Sequence, residues 1–212
     1  YINASTDAAV GGNLNVTATT GNITQGRAVT VTGTSSFTTS QNNADITLSR
    51  TDNAFTGTVA LNTSGAGGNA TVDNGTTALN MAASSVGGNL TLTSGNGSGI
   101  IDSGTVTVGG NLVATTDAGS GVINLGTLAV DGTVALTTDS NGAATVVNDA
   151  GLNFAASTVR GALSATATTG DIVDSGNLTI TGTSTFITGA DGSDIILDAS
   201  GNAFSNAVTL QA

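Results

Sequence analysis

A seven-residue phrase that recurs along the chain constrains the fold more than any other feature. Its clearest copy is Val86-Gly87-Gly88-Asn89-Leu90-Thr91-Leu92. The first residue of each copy, called here the anchor, is Val10, Val31, Phe55, Val86, Val108, Val130, Val159, Ile180 or Phe204. A glycine stands two residues after the first eight anchors: Gly12, Gly33, Gly57, Gly88, Gly110, Gly132, Gly161 and Gly182. The ninth copy has Asn206, which tolerates the left-handed backbone region, so the pattern predicts a corner with positive φ.

A short strand is predicted directly after each corner, because apolar residues alternate there. The sixth position after the anchor holds Val16, Phe37, Leu61, Leu92, Ala114, Leu136, Ala165, Phe186 and Leu210. The fourth position holds Leu14, Val59, Leu90, Leu112, Val134, Leu163 and Val208, with Ser35 and Ser184 as exceptions. Alternate residues of a strand point to the same side, so these two positions face a core and the residue between them, such as Thr91, faces outward.

The anchors are spaced in a three-unit cycle. Their separations are 21, 24 and 31 residues, then 22, 22 and 29, then 21 and 24, with cycles starting near residues 10, 86 and 159. Similar segments support the cycle, since residues 31–37 resemble 180–186 and residues 79–86 resemble 152–159. The long third unit predicts a bulging loop near residues 64–69 and 137–143. Repeat periods of this size are typical of solenoids, propellers or arrays.

The length of one unit selects among these repeat folds. About 22 residues hold three short β runs, whereas an immunoglobulin-like sandwich needs about 100 and a propeller blade about 40 to 45. The predicted fold is therefore an all-β parallel β-helix of about nine coils of 21–31 residues, forming one segment over residues 1–212. The absence of proline fits, because an interior strand needs every amide for pairing. The chain starts and stops within the pattern, and we expect it to be a piece of a longer polypeptide.

Composition argues against several classes of function. The chain has no His, Cys, Lys or Glu, so the commonest acid–base and nucleophilic groups are missing, and we expect no enzymatic activity, catalytic residue or cofactor. Its net charge of −11 disfavours nucleic acids and anionic membranes. No run of 18 apolar residues is present, so membrane insertion is not expected. Asp, Arg, Ser and Tyr1 remain, which keeps a β-helical polysaccharide-degrading enzyme as an alternative.

Repeated polar residues suggest structural positions more than ligand sites. Asp102 and Asp174 share one slot with Gln25, and we expect an Asx-turn there, in which the carboxylate accepts the amide two residues on. Asp45 and Asp194 also share a slot and indicate strand-entry turns. No metal site is predicted. Adventitious binding of one Ca²⁺ by the loop with Asp191 and Asp194 stays an alternative. Asn13, Asn89 and Asn111 predict an amide ladder along the stack. The five phenylalanines are expected in the core, and no arginine repeats at an equivalent position.

The repeated phrases Gly-Asn-Leu, Gly-x-Ile and Asn-Ala-Phe-x-Gly-x-Val resemble the repeat shafts of large bacterial surface proteins. The resemblance is to filamentous-haemagglutinin-like adhesins and then to autotransporter passengers. It implies a right-handed parallel β-helix, export through an outer-membrane pore, and an extracellular or cell-surface stalk or attachment fibre. The amino-terminal secretion domain of that family carries Asn-Pro motifs, and this chain has no proline. The domain is therefore not within these residues.

Two non-catalytic functions follow from these patterns. The first is the shaft of a secreted or surface-displayed adhesin or exoprotein, whose partners are neighbouring repeats of the same polypeptide and glycans of host cells, surfaces or a biofilm matrix. The second is a subunit of a self-assembling extracellular filament or sheath, in which the bare edges of end coils pair end to end. The polysaccharide-degrading enzyme is the third and catalytic hypothesis.

Overall fold

The computed structural model describes residues 7–212, and all regular structure in that range is β. The strands of the first cycle are β1 (Ala8–Val10), β2 (Leu14–Ala18), β3 (Ile23–Thr24), β4 (Val29–Val31), β5 (Ser35–Asn42), β6 (Ile46–Leu48), β7 (Ala54–Phe55), β8 (Val59–Ser64), β9 (Ala70–Asp73) and β10 (Leu79–Met81). Those of the second are β11 (Ser84–Val86), β12 (Leu90–Ser94), β13 (Ile100–Asp102), β14 (Val106–Val108), β15 (Leu112–Thr116), β16 (Ile123–Val130), β17 (Thr133–Thr137), β18 (Ala144–Asn148) and β19 (Leu152–Phe154). Those of the third are β20 (Ser157–Val159), β21 (Leu163–Ala167), β22 (Ile172–Asp174), β23 (Leu178–Ile180), β24 (Ser184–Thr188), β25 (Ile195–Ile196), β26 (Ala203–Phe204) and β27 (Val208–Gln211).

These strands stack as a parallel β-solenoid of about nine turns, which confirms the predicted fold class. Sheet I has three strands, β1, β4 and β7. Sheet II has twelve strands: β2, β5, β8, β10, β11, β13, β14, β16, β18, β21, β24 and β27. Sheet III has the other twelve: β3, β6, β9, β12, β15, β17, β19, β20, β22, β23, β25 and β26. Strands pair with those of the preceding and following turns, so backbone hydrogen bonds run along the rod.

The interior is one continuous apolar core that follows the predicted alternation. Leu92 and Leu136 are both 0% exposed, and Thr91 between its two buried neighbours is only partly covered. Phenylalanine rings of successive turns meet edge to face, with centroids 5.7 Å apart for Phe37 and Phe55. Such pairs add about 0.5–1.5 kcal/mol to the burial of the rings. The prediction that the phenylalanines belong to the core is confirmed for the four that are fully buried, and Phe204 packs against that core.

The corner glycines are required for a different reason than the sequence suggested. None of them has positive φ, and neither does Asn206, so the prediction of a left-handed corner is wrong. Each one after Gly12 instead lies directly on a glycine of the preceding turn, as when the amide of Gly110 donates to the Gly88 carbonyl oxygen at 2.9 Å. A Cβ on Gly110 would lie 2.8 Å from the Gly88 carbonyl carbon and oxygen. The column demands glycine because two backbones approach too closely for a side chain.

The long third unit of each cycle contains an additional strand. The predicted bulging loops are short turns, between β8 and β9 and between β17 and β18. The interval from Phe55 to Val86 holds four strands, and its extra length moves the pattern onward around the rod. Residues that pair between successive turns have a smaller sequence separation than the anchors Phe55 and Val86. Examples are the pairs Ala144 with Leu163 and Ile46 with Ala70. One turn is therefore shorter than the longest anchor separation.

As a result, equivalent strands change sheets from one cycle to the next. The strands that follow the corner lie in sheet II in the first cycle (β2, β5 and β8), in sheet III in the second (β12, β15 and β17), and in sheet II again in the third (β21, β24 and β27). The anchor column is likewise broken into three runs of three coils, in sheets I, II and III. The anchors therefore form no single ladder along the whole rod, although they are stacked continuously within each cycle.

Replacement of Gly110 by valine tests the close approach of the corners. We expect Gly110→Val to lower the free energy of unfolding by about 1–3 kcal/mol, because overpacking forces the backbone of one turn away from the next. The matched control is Thr91→Val, on an outward row where the next turn already carries Val113. That control should change stability by less than about 0.5 kcal/mol. Urea unfolding measures both, and equal stabilities would contradict the assigned columns.

Removal of one whole cycle tests the equivalence of the cycles. Deleting residues 86–158 joins Ser85 to Val159, so that β21 replaces β12 on β9 with the same apolar spacing. We expect the shortened chain to fold cooperatively and the rod to lose about three turns, or about 14 Å at the usual strand spacing. Small-angle scattering measures the length and circular dichroism the β content. Loss of β structure in the shortened chain would show that the cycles are not interchangeable.

Candidate functional site

Polar side chains at the corners form a ladder that links six successive turns. In each step, a side-chain oxygen accepts the backbone amide of the equivalent residue one turn later. The ladder runs through Asn22, Asp45, Asn69, Asn89, Asn111 and Thr133. Its hydrogen bonds are 2.8 or 2.9 Å long. These bonds give the amides at the turns between strands a partner in the preceding turn.

This ladder confirms part of the predicted asparagine column. Asn89 and Asn111 are adjacent members of it, whereas Asn13 precedes a strand of sheet II and accepts the Thr34 amide at 3.0 Å. The bonds join side chain to backbone and do not stack one amide on the next, so the expected ladder type is wrong. Asp45 occupies a strand entry as predicted, and Asp194 does so too, with its amide bound to the Asp171 carboxylate at 2.8 Å.

The carboxylates of Asp102 and Asp174 bind the following turn and not their own. Asp102 accepts the amides of Gly126 at 3.0 Å and Thr127 at 2.8 Å, and also the Thr127 hydroxyl at 2.8 Å. Asp174 accepts the Asp198 amide at 2.9 Å and the Asn202 side-chain amide at 2.5 Å. The predicted Asx-turn is therefore wrong, because these carboxylates accept amides of the following turn and not the amide two residues on. These acids are engaged in holding the polypeptide together.

Asn74 follows β9 and Asn148 ends β18, each at a place where the later strand stops and leaves the backbone of Phe55 or Val130 in the preceding turn without a strand partner on that side. Asn148 Oδ1 accepts the Val130 amide at 2.8 Å, and its Nδ2 donates to the Val130 and Gly151 carbonyl oxygens at 3.1 and 2.7 Å. Asn74 repeats these bonds with Phe55 and Ala78 at 2.7, 3.1 and 2.8 Å. The two asparagines are 0% and 1% exposed. Each side-chain amide thus takes the place of a backbone residue that the later strand does not supply.

Ser84 and Ser157 lie where one long strand is covered by two short ones. Strand β8 pairs with β10 through Val59 and with β11 through Asn62, and the covering chain bends between these points. The Leu61 amide then donates to the Ser84 hydroxyl at 3.1 Å, and the Leu136 amide to the Ser157 hydroxyl at 3.0 Å. We call each set of one asparagine and one serine, Asn74 with Ser84 and Asn148 with Ser157, a joint. The joints change the sheet that carries the strands after the corner.

Sequence patterns did not single out the joint residues, although a signal was present. In Ala70-Thr71-Val72-Asp73-Asn74 and Ala144-Thr145-Val146-Val147-Asn148, the alternation places asparagine on an inward position. A polar residue in line with a buried column needs hydrogen-bond partners, because a buried amide without them is costly. Its recurrence just before each of the similar segments 79–86 and 152–159 marks the same position in two cycles.

An open groove borders the second joint. It has a volume of about 370 Å³ and includes Asp131, Asn153 and Asp171 in its lining. Asp171 already accepts the Asp194 amide. No group of three or more metal-ligating side chains occurs among residues 7–212, and Asp191 lies exposed on the turn before β25. The polar side chains of this open groove are therefore few.

Asp73 has an unusual titration environment. Partial burial raises the pKa of its carboxyl, the Gly75 amide that it accepts at 2.8 Å opposes the rise, and the Asp117 and Asp52 carboxylates add to it. The exposed Asp52 shows the reverse, because the Arg50 guanidinium that hydrogen-bonds to it at 3.3 Å lowers its pKa. Arg50 and Asp52 form the ion pair found within the described range. Tyr1, the other group considered for chemistry, lies outside the described residues.

Replacement of a joint asparagine should be unusually destabilising. We expect Asn148→Ala to cost about 2–4 kcal/mol, since it leaves both the amide and the carbonyl of Val130 buried without a partner. Asn74→Ala should cost a similar amount because its bonds are the same. The matched control is Asn124→Ala, at an exposed outward position of β16, where we expect a change below about 0.5 kcal/mol. Chemical unfolding of the three variants is the measurement, and a mild effect at Asn148 would contradict its role in the joint.

The raised pKa of Asp73 predicts a pH-dependent effect of its amide analogue. A carboxyl with a higher pKa in the folded chain binds its proton more tightly there, so ionisation destabilises the fold as the pH rises through the folded pKa. Asp73→Asn should therefore be more stable than the parent at pH 7, while keeping an oxygen for the Gly75 amide. The difference should vanish below the ordinary value of 3.8, where both states are protonated. Urea unfolding across pH checks this.

The control for the pH effect is Asp52→Asn. Arg50 lowers the pKa of Asp52, so this carboxylate favours the fold when ionised, and its replacement should have the opposite sign at neutral pH. Solvent screening keeps the effect small, because both side chains are exposed. A stabilisation by both variants would point to net charge as the cause.

Comparison with known proteins finds one family and no individual relative. The family described as repeats of unknown function (DUF5649) matches residues 3–62 and 141–211, which together are more than half of the chain. The two matched segments include the strands β2, β5, β21 and β24, which lie in the same sheet. No curated protein and no solved structure matches the chain. Among residues 7–212 there is no helix long and apolar enough to cross a lipid bilayer.

Proposed function

The chain belongs to the family of repeats of unknown function (DUF5649), and we propose that it is a structural shaft of a large secreted or surface-displayed bacterial adhesin or exoprotein. In this role it has no catalytic activity. Its work is to hold other parts of the polypeptide at a distance, through a rod whose length grows by about 4.8 Å for each turn.

The observation that carries the proposal is the direction of the hydrogen bonds. Strands pair only with strands of other turns, and the corner side chains from Asn22 to Thr133 extend the same bonding between strands. A pull along the rod axis is therefore resisted by many parallel bonds in every turn. Such a scaffold needs no particular ligand on its surface, and the polar groups of Asp102 and Asp174 are used for stacking.

The proposed setting is the bacterial exterior. The resemblance to repeat shafts of surface proteins suggests it, and the lack of cysteine and the sparse charge are compatible with it. The immediate partners of the chain are then neighbouring repeats of the same polypeptide. Glycans of host cells, other surfaces or the biofilm matrix would be bound by the whole protein.

Surface labelling tests the proposed location. Antibodies raised against the purified chain should bind intact cells that make the parent protein, and brief protease treatment of those cells should remove the signal. Labelling that requires permeabilised cells would overturn the surface proposal. An abundant cytoplasmic protein serves as the control for cell integrity.

A second experiment separates a shaft from a ligand-binding region. Cells that express the parent protein without residues 86–158 should attach to their substratum as well as the parent strain, because a shaft tolerates the loss of a few turns. The Gly110→Val change combined with Gly132→Val, which breaks the stack at two adjacent corners, should reduce display and attachment together. Loss of attachment in the deletion strain with normal surface display would contradict the shaft and indicate binding by these turns.

A further inference from the structure

The dipeptide Asn-Gly occurs three times in the chain, as Asn74-Gly75, Asn96-Gly97 and Asn141-Gly142. This sequence is chemically labile, because the glycine nitrogen can attack the side-chain carbonyl carbon of the asparagine and glycine has no Cβ to hinder the approach. Two conditions decide whether a copy reacts in a folded chain. The side-chain carbonyl carbon must reach the glycine nitrogen, and the glycine amide must not be held by a hydrogen bond.

The first copy is locked by the first joint. Asn74 is 0% exposed, and its side chain accepts the Phe55 amide and donates to the Phe55 and Ala78 carbonyl oxygens. The Gly75 amide donates to the Asp73 carboxylate at 2.8 Å. Neither condition is met, so Asn74 is protected while the chain is folded.

The third copy meets only the first condition. Asn141 is exposed on the turn between β17 and β18, so its side chain is free to move. The Gly142 amide is buried, however, and donates to the Asp139 carbonyl oxygen at 2.8 Å. This hydrogen bond has to break before the nitrogen can attack, which slows the reaction by about tenfold.

The second copy meets both conditions. Asn96 and Gly97 lie in the turn between β12 and β13, where Gly97 is exposed. Among residues 7–212 the Gly97 amide has no hydrogen-bond acceptor. Asn96 Oδ1 accepts the Ser98 amide at 2.7 Å, which is the hydrogen bond of an Asx-turn. This bond folds the side chain back across the Gly97 nitrogen, and it also polarises the carbonyl group that the nitrogen attacks.

We propose that Asn96 is a site of spontaneous deamidation in the folded protein. The Gly97 nitrogen forms a bond to Asn96 Cγ, and the bond from Cγ to Nδ2 breaks. The amide proton of Gly97 leaves with Nδ2 as ammonia, and the product is a cyclic succinimide. Water then adds to one of the two carbonyl carbons of the ring and opens it, which gives aspartate or isoaspartate at this position.

The modification removes one contact between turns. Asn96 Nδ2 donates to the Thr76 carbonyl oxygen of the preceding turn at 3.0 Å. A carboxylate has no proton to donate, so the product places a negative charge beside an oxygen that it cannot bind. Deamidation therefore loosens the turn between β12 and β13.

Mass spectrometry of the folded chain tests the site. The purified protein is incubated in mildly alkaline buffer, and peptides from successive samples are examined for conversion of an amide to a carboxyl group. Asn96 should be converted first, Asn141 about tenfold more slowly, and Asn74 not at all. In guanidinium chloride the three copies should react at similar rates, because the hydrogen bonds that distinguish them are gone. A folded chain in which Asn96 reacts no faster than Asn141 would overturn the proposal.

Two variants of Asn96 complete the test. Asn96→Gln removes the early conversion, because the longer side chain would have to form a larger and less favoured ring, and circular dichroism checks that the fold is kept. Asn96→Asp reproduces one product and should unfold at a lower urea concentration than Asn141→Asp, the control with the same change of charge on an exposed turn. Equal unfolding midpoints for these two aspartate variants would contradict the loosening of the turn.

Discussion

The structure depends on backbone hydrogen bonds that are made between turns and not within them. A single turn of this chain has short strands with nothing beside them, and it can satisfy its amides and carbonyls only by lying on another turn. The apolar columns have the same dependence, because a triangle of three short strands encloses too little volume to bury its side chains alone. Stability is therefore shared between neighbours, and each turn is a template for the next.

Places where the strands do not match show how strict this requirement is. At each joint the number of strands in one turn differs from the number in the next, so some backbone groups have no backbone partner. Asn74 and Asn148 supply an amide group in their stead, with nearly equal bond lengths in the two cycles. Ser84 and Ser157 supply hydroxyl oxygens where one strand divides into two. Buried polar residues occur here because the fold would otherwise leave amides unpaired.

The same demand engages several of the polar side chains that could otherwise take part in chemistry. Asp45, Asp102 and Asp174 bind amides of the following turn, and the corner asparagines do likewise. In an enzyme, a carboxylate of this kind would have to release such a bond to act as acid, base or ligand. The outward rows consist mainly of small residues such as Thr91 and Thr93, which suit a pleated surface. The use of these side chains for contacts between turns supports a scaffold role, in which the side chains determine how the turns stack.

The apolar periodicity and the spacing of the phrase by themselves determined a parallel solenoid, its inward columns and the positions of its corners. They could do so because alternate residues of a strand point to the same side, so an alternating apolar pattern indicates which residues are buried. Local pattern could not reveal the contacts between turns. The corner glycines are needed for the approach of another backbone, Asp102 bonds to Gly126 and Thr127 of a later turn, and the long third unit adds a strand that transfers equivalent positions to another sheet. These features were decided only by tertiary structure, since each depends on the register between segments that are distant along the chain and adjacent only after it has coiled.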